Sequence, residues 1–302
     1  MKKTFFLLSM LAGISFFYAC GNGPGSGQPK ETTSSGHIRI AIDESLRPVM
    51  AQQLAVFDSS FPKADIKESY KSETDCFRDF FNDSARMIIV SRDLTKEERK
   101  LLTQNGARVR SMPVAMGAIA LVVNPASPDS LMTLGQVKSI LTNTFIRKYN
   151  IVFDNERSGT VRYLVDSLIP GQKLPSNVYA LNGNDSVLNY VAAHPNAIGV
   201  LGALNIYSNV DTGAGTFRPG VKVVALKNDS TNDFYQPYQA YIALRLYPML
   251  RPVYFISHDS WQGLATGFAN FLSGQRGQLI FKHAWMAPLC VPLNVREVNI
   301  KP

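Results

Sequence analysis

The sequence is short of the residues on which enzymes and metal proteins most often depend. It holds three cysteines and four histidines in 302 residues. His37, His194, His258 and His283 stand in unrelated contexts, and no HExxH, GxSxG or Walker pattern occurs. A metal site needs clustered His, Cys or carboxylate ligands, and no cluster stands out. These absences argue against catalysis, and they imply no metal or cofactor. Dense basic blocks are missing too. The net charge is +8, or +6 once Lys2 and Lys3 are removed with residues 1–19, and the remaining Lys and Arg are spread out. Nucleic acid is therefore not implied, although a mild positive field favours an anionic ligand.

What is present describes a soluble globular protein. Apolar residues make up 45% and charged residues 18% of a chain long enough for two lobes. Met1-Lys2-Lys3 is a basic start, Thr4 to Phe17 is uncharged and apolar, and Tyr18-Ala19-Cys20-Gly21 follows. The run is too short to span a bilayer and is followed by Gly, Ser and Pro, so it reads as a secretory signal. It resembles a bacterial lipoprotein signal. That likeness implies removal of residues 1–19, lipid on Cys20, and a chain anchored to a cell-envelope membrane, facing the periplasm or exterior. A simple signal peptide with a chance cysteine is the plainer alternative. Residues 20–36 are rich in Gly, Ser, Thr and Pro and read as a flexible tether. Cys76 and Cys290 lie far apart in apolar contexts, as two buried thiols or one disulfide.

From His37 onward strands alternate with helices, the pattern of an α/β protein. His37 to Ile42 alternates as a strand, and Asp43-Glu44-Ser45 turns into a helix carrying Leu46, Val49, Met50, Leu54 and Phe57. Ala64 to Tyr70 reads as a strand, Glu73 to Phe81 as a helix and Arg86 to Val90 as a buried strand. Ser91-Arg92 follows at its carboxyl end, where ligands bind in open α/β sheets. Thr95 with Glu98, and Thr133 with Gln136, form capping boxes. Strands are expected over Ala107 to Val114 and Ala118 to Val123, on either side of a crossing at Met116-Gly117. Asn184 or Asp185 is expected to cap a helix to Ala193, and paired strands are expected on both sides of Tyr247-Pro248.

The stretch with the most chemistry is Ile151 to Leu168. A buried strand, Ile151 to Phe153, runs through a polar turn into Ser158-Gly159-Thr160 and an amphipathic helix. Free N–H groups and the positive helix end converge there, and Gly159 lets an oxygen approach the backbone, so the turn suits an anion. The same residues also suit an ordinary helix N-cap by Ser158.

Several ordered pieces resemble the phosphate-binding proteins of bacterial phosphate ABC transporters, within the type II periplasmic-binding-protein class. They are Asp43-Glu44-Ser45, Ser91-Arg92-Asp93-Leu94, Ala118 to Asn124, Ser158-Gly159-Thr160, Ala197-Ile198-Gly199, Tyr247-Pro248 with Arg251, and Gly274 to Gln278. The likeness implies a two-lobed α/β fold with two interlobe crossovers, lobe 1 from residues 37–113 and 236–302 and lobe 2 from 114–235. It implies a monomeric receptor that closes on inorganic phosphate or a related oxyanion and delivers it to a transporter permease. Ligands carry over to Ser45 with the following backbone at Leu46, to Ser91 and Arg92, and to Ser158, Gly159 and Thr160. This chain departs from the family where an arginine commonly lies four residues before the serine of Ser-Gly-Thr and an aspartate two before. Asp154 and Glu156 stand there instead. Arg157 or Arg162 is then the candidate for the positive charge, and Glu44, then Glu156, for a carboxylate that accepts the phosphate proton. The altered turn also allows a sensory or degenerate lipoprotein of the same fold, with another oxyanion or none.

Overall fold

A computed structural model describes residues 31–208, 216–258 and 262–292. The signal segment and Cys20 lie outside the described residues. The fold begins with strand β1 (Ser35–Asp43), helix α1 (Arg47–Ser60), β2 (Lys63–Lys71), α2 (Glu73–Phe81), β3 (Met87–Val90) and α3 (Lys96–Gln104). Residues 31–36, expected in the tether, join this fold. The Glu31 carboxylate accepts from the Leu264 N–H at 2.8 Å and from Arg86 Nη1 at 2.6 Å. Strands β1, β2 and β3 are parallel, and all four residues of β3 are buried because helices cover both faces. Both expected capping boxes are present, at Thr95 with Glu98 and at Thr133 with Gln136.

The long strand β4 (Arg110–Val123) joins the two halves of the molecule. Two strands with a crossing at Met116-Gly117 were expected. The strand instead runs straight through, because Gly117 keeps its ladder partner in the returning strand. Next come β5 (Leu131–Met132), α4 (Leu134–Leu141), β6 (Asn150–Phe153), α5 (Gly159–Tyr163), β7 (Val178–Ala180), α6 (Asn184–Ala193) and β8 (Ala197–Gly202). A π-helical turn, Leu164–Leu168, extends α5. Gly183, at φ 91°, is the N-cap of α6, and no side chain caps that helix. The expected cap by Asn184 or Asp185 is thereby corrected, since both already lie within the helix.

Short strands β9 (Lys222–Val223), β10 (Ala225–Lys227) and β11 (Phe234–Tyr235) lead to α7 (Gln239–Ala243), then β12 (Leu250–Ser257), α8 (Leu264–Ser273), α9 (Gln275–His283) and β13 (Ala287–Pro288). The strand expected over Tyr241 to Leu246 is helix and turn. Its apolar residues follow helical rather than alternating contacts, with the Ile242 N–H donating to the Tyr238 carbonyl at 3.0 Å.

The main sheet runs in the order β2-β1-β3-β12-β4-β8-β6-β7. Residues Arg110 to Ala118 of β4 pair with β12, whereas Ile119 to Val123 pair with β8. The hydrophobic core divides at the same place. Ile40, Met50, Phe57, Val114, Val253 and Phe268 share one cluster, and Ile119, Leu121, Phe153, Leu164, Val200 and Tyr247 share another. Ile242, Tyr247 and Met249 pack in this second core, although the sequence reading put residues from 236 in the first lobe. The chain thus passes between the halves twice, along β4 and again at the start of β12. Cys76 is buried and Cys290 exposed, and both are free thiols, so neither expected arrangement of the cysteines holds.

Candidate functional site

Three strands aim their carboxyl ends at one point between the halves, the parallel pair β1 and β3 from one side and β6, running the opposite way, from the other. β1 ends in Asp43, β3 runs into Ser91, and β6 runs into Asp154. The start of β12 passes beside them and contributes Arg251. All four side chains are buried. An arginine this far inside a protein must spend its donors on specific acceptors, because leaving a buried charge unsolvated is costly.

Arg251 bridges the two lobes through hydroxyls. Its Nη2 donates to Ser45 Oγ at 2.9 Å and its Nη1 to Thr160 Oγ1 at 3.3 Å. Space for the guanidinium exists because position 202 is glycine. A methyl group there would come within 3.1 Å of Nη2. Ser45 is held from two sides. Its N–H donates to Asp43 Oδ1 at 3.0 Å, and its carbonyl accepts from Asn205 Nδ2 at 3.2 Å. The Ser158 hydroxyl caps α5, accepting from the Val161 N–H at 3.4 Å, and it lies close enough to the Asp154 carboxylate to hold that carboxyl down. The sequence offered an anion site and an N-cap as separate readings, and Ser158 occupies both places.

The carboxylates behave differently from one another. Asp43 Oδ2 and Asp154 Oδ1 are buried without a hydrogen-bond partner. Burial pushes the Asp43 carboxyl up to about 6, against the opposing pull of Arg251. Burial also raises Asp154, opposed by the Ser158 hydroxyl and by Arg251. For Glu73 burial again pushes upward, yet the Arg162 guanidinium and the Ser91 bonds outweigh it and hold the carboxyl below its usual range. Glu73 Oε1 accepts from the Ser91 N–H at 2.9 Å and from Ser91 Oγ at 2.5 Å, and its Oε2 accepts from Arg162 Nε. This pair spans the cleft, Glu73 lying on α2 of the first lobe and Arg162 on α5 of the second. Gly159 allows the approach. A methyl group there would overlap Ser91 Oγ and lie 3.0 Å from both Asp43 Oδ2 and Glu73 Oε1.

Of the residues expected from sequence, Ser45, Ser91, Ser158, Gly159 and Thr160 come together at this point. Leu46 sits beside them as the N-cap of α1, with its side chain in the first core. Glu44, Arg92 and Arg157 do not join. Glu44 forms an exposed pair with Arg47 at 2.6 Å. Arg92 lies 3.6 Å over the Phe77 ring and donates to Glu98 at 2.7 and 2.8 Å, so its donors serve the cap of α3. Arg157 points outward, 3.7 Å from Asp75, and Glu156 is exposed. The residues not expected as ligands are Asp43, Glu73, Asp154 and Arg251, and of the two arginines considered for the positive charge, Arg162 is spent on Glu73 while Arg157 points outward. Arg251 carried a signal, as an arginine just beyond Tyr247-Pro248. Glu73 carried none beyond an acidic residue in a first helical turn.

This is the arrangement of a two-lobed ligand-binding protein, with donors from both lobes and both crossings meeting in the cleft. Residues 27–276 match the family model of the PBP superfamily domain, and the chain belongs to that superfamily. Its sheet has the type II periplasmic-binding-protein-like fold. No relative was found among curated proteins. A Clostridium perfringens protein, assigned as a phosphate ABC transporter substrate-binding protein and solved with bound phosphate, is 20% identical with a TM-score of 0.69, over 84% of this chain and 100% of that one. An ABC-type phosphate transport receptor from Vibrio cholerae is 18% identical with a TM-score of 0.66, over the same shares of the two chains. OxyR from Corynebacterium glutamicum is also similar, at 13% identity and a TM-score of 0.57, over 92% of this chain and 73% of that one. One fold thus serves proteins of different kinds, so the ligand must be argued from the site.

Proposed function

We propose that this chain captures inorganic phosphate for an ABC transporter as an envelope lipoprotein, and that it is a binding protein rather than a catalyst. The observation that supports this best is the pairing of buried Arg251 with an unpartnered oxygen on Asp43 at the same point. Near neutral pH phosphate still carries an acid proton, whereas sulfate carries none. A site offering a guanidinium, hydroxyls and N–H groups together with a carboxylate acceptor satisfies every oxygen of the first ion. With the second ion, two unprotonated oxygens face each other, at a cost of roughly 1–3 kcal/mol or more. The ligand set is Ser45, Ser91, Ser158, Gly159, Thr160 and Arg251, with Asp43 rather than Glu44 as the acceptor. Calorimetry is expected to show one phosphate per chain and sulfate weaker by about tenfold or more. Equal binding of the two anions would remove the acceptor argument, and binding of neither would favour the sensory reading.

No described helix is long and apolar enough to cross a membrane; in this reading attachment is through lipid on Cys20. A single acyl chain holds a protein only marginally, and stable anchoring takes more than one. Cys20→Ala is expected to release the chain from membranes or leave it unprocessed. Extraction of the wild-type protein without detergent would overturn the anchor.

A further inference from the structure

The phosphate reading needs one proton acceptor, and the site contains two. Asp43 comes from β1 in the first lobe, and Asp154 follows β6 in the second. Asp43 has one oxygen engaged, Oδ1 by the Ser45 N–H, and the Asp154 carboxylate lies near the Ser158 hydroxyl. Each has a second oxygen, buried and without a partner. They are 1% and 7% exposed, and both sense the charge of Arg251. A buried acceptor left unmatched costs roughly 1–3 kcal/mol, so two that both sense one guanidinium call for a partner that donates twice.

The charges around the point narrow the partner further. Glu73 and Arg162 neutralise each other, and Arg251 is the cation among the described residues whose charge both Asp43 and Asp154 sense. The other titratable groups nearby are the Cys76 thiol beside Asp43 and the Tyr163 hydroxyl near Arg251, both raised by burial and therefore neutral. With both aspartates ionised the surroundings carry one net negative charge, and a dianion would be repelled. A metal cation would not be repelled, but among the described residues no three His, Cys, Asp or Glu side chains are grouped to hold one.

Resting on the phosphate reading, the geometry points to a site that binds phosphate with two acid protons, one facing Asp43 and one facing Asp154, so that Asp154 is a second specificity-determining acceptor. The ligand class is then an oxyanion with two acid hydroxyls. The raised positions of both carboxyls agree with protons being shared between them and the ligand. The proton balance can be measured. Above neutrality, free phosphate carries one proton, so binding it with two between ionised carboxylates must draw one proton from solvent. Near about pH 5.5 the free ion already holds two, and uptake falls towards zero or reverses.

The test is phosphate calorimetry on the mature protein at about pH 8, in two buffers of different ionisation heat. An uptake of about one proton per phosphate is expected, with affinity falling by about tenfold per pH unit above neutrality. Asp154→Asn is nearly the same shape and leaves Asp43 as the sole acceptor. It is expected to reduce the uptake to near zero and to flatten the pH dependence. The wild-type uptake decides the matter even if that variant fails to fold. Tight phosphate binding with no uptake at about pH 8 would overturn the second-acceptor role and leave the phosphate reading standing. No binding heat at any pH would overturn both, and the two failures are told apart by the binding itself.

Discussion

Replacing Arg251 by Met is expected to weaken phosphate binding roughly a thousandfold. Two charge-assisted hydrogen bonds to a ligand contribute about 1.5–3 kcal/mol each, and about 4 kcal/mol in total is three decades of affinity. The loss should exceed that of any single hydroxyl variant, because Arg251 carries the charge at the point and reaches both Ser45 and Thr160. Stability should change as well, in a pH-dependent way. Burial raises the Asp43 carboxyl from 3.8 to about 6 even with Arg251 opposing it, and removing the arginine raises it further. A group with a raised folded pKa binds more protons folded than unfolded, so stability falls as pH rises from near 4 through the folded pKa. Arg251→Met should therefore lose more melting temperature near neutrality than at about pH 5. Adding Asp43→Asn should recover much of that stability without restoring binding. Recovery of affinity in the double variant would show that Arg251 only balances charge. A uniform loss at all pH values would show that it acts through packing.

The readability of this molecule from sequence follows the range of the interactions. Helix starts and buried strands were legible because caps and periodicity are local. The boxes at Thr95 and Thr133 and the helix over Glu73–Phe81 needed no information from elsewhere. The turn residues Ser45, Ser91, Ser158, Gly159 and Thr160 were legible for the same reason, as small residues following buried strands. Charged side chains were not, because a long side chain chooses its partner in space. Arg92 looked poised at a strand end, yet its guanidinium is taken up by the Phe77 ring and Glu98. Glu44 had Arg47 one helical turn away. Glu73 and Arg162 are 89 residues apart and meet only once the lobes are placed. Arg251 is 206 residues from Ser45, a distance no spacing rule covers. The second crossing was harder to locate than the first because α7 is short, and its apolar residues read equally well as strand.

Glu73→Gln is expected to weaken phosphate binding by about thirtyfold without touching the ligand directly. Glu73 is 2% exposed and joins the lobes through Arg162, while its other oxygen fixes Ser91 by two bonds. Removing one partner of a fully buried ion pair costs roughly 3–5 kcal/mol. Arg162 keeps 28% of its side chain in solvent, so about 2 kcal/mol is a fitter figure, and that converts to about thirtyfold. The cost falls on the closed arrangement alone, since separated lobes would expose both groups to water. Glu73 has a depressed folded pKa, so its contribution is present above the ordinary carboxylate range and is lost as pH falls through the folded value. The wild-type protein should then open in acid, and Glu73→Gln should be insensitive to that change. Small-angle scattering with saturating phosphate is the direct measurement. The variant is expected to show a larger radius of gyration than wild type at subsaturating phosphate and the same radius once saturated. A variant that binds as tightly as wild type would mean that the Glu73–Arg162 pair does not bias closure. A variant that stays expanded at saturation would mean that it shapes the closed cleft instead of balancing open against closed.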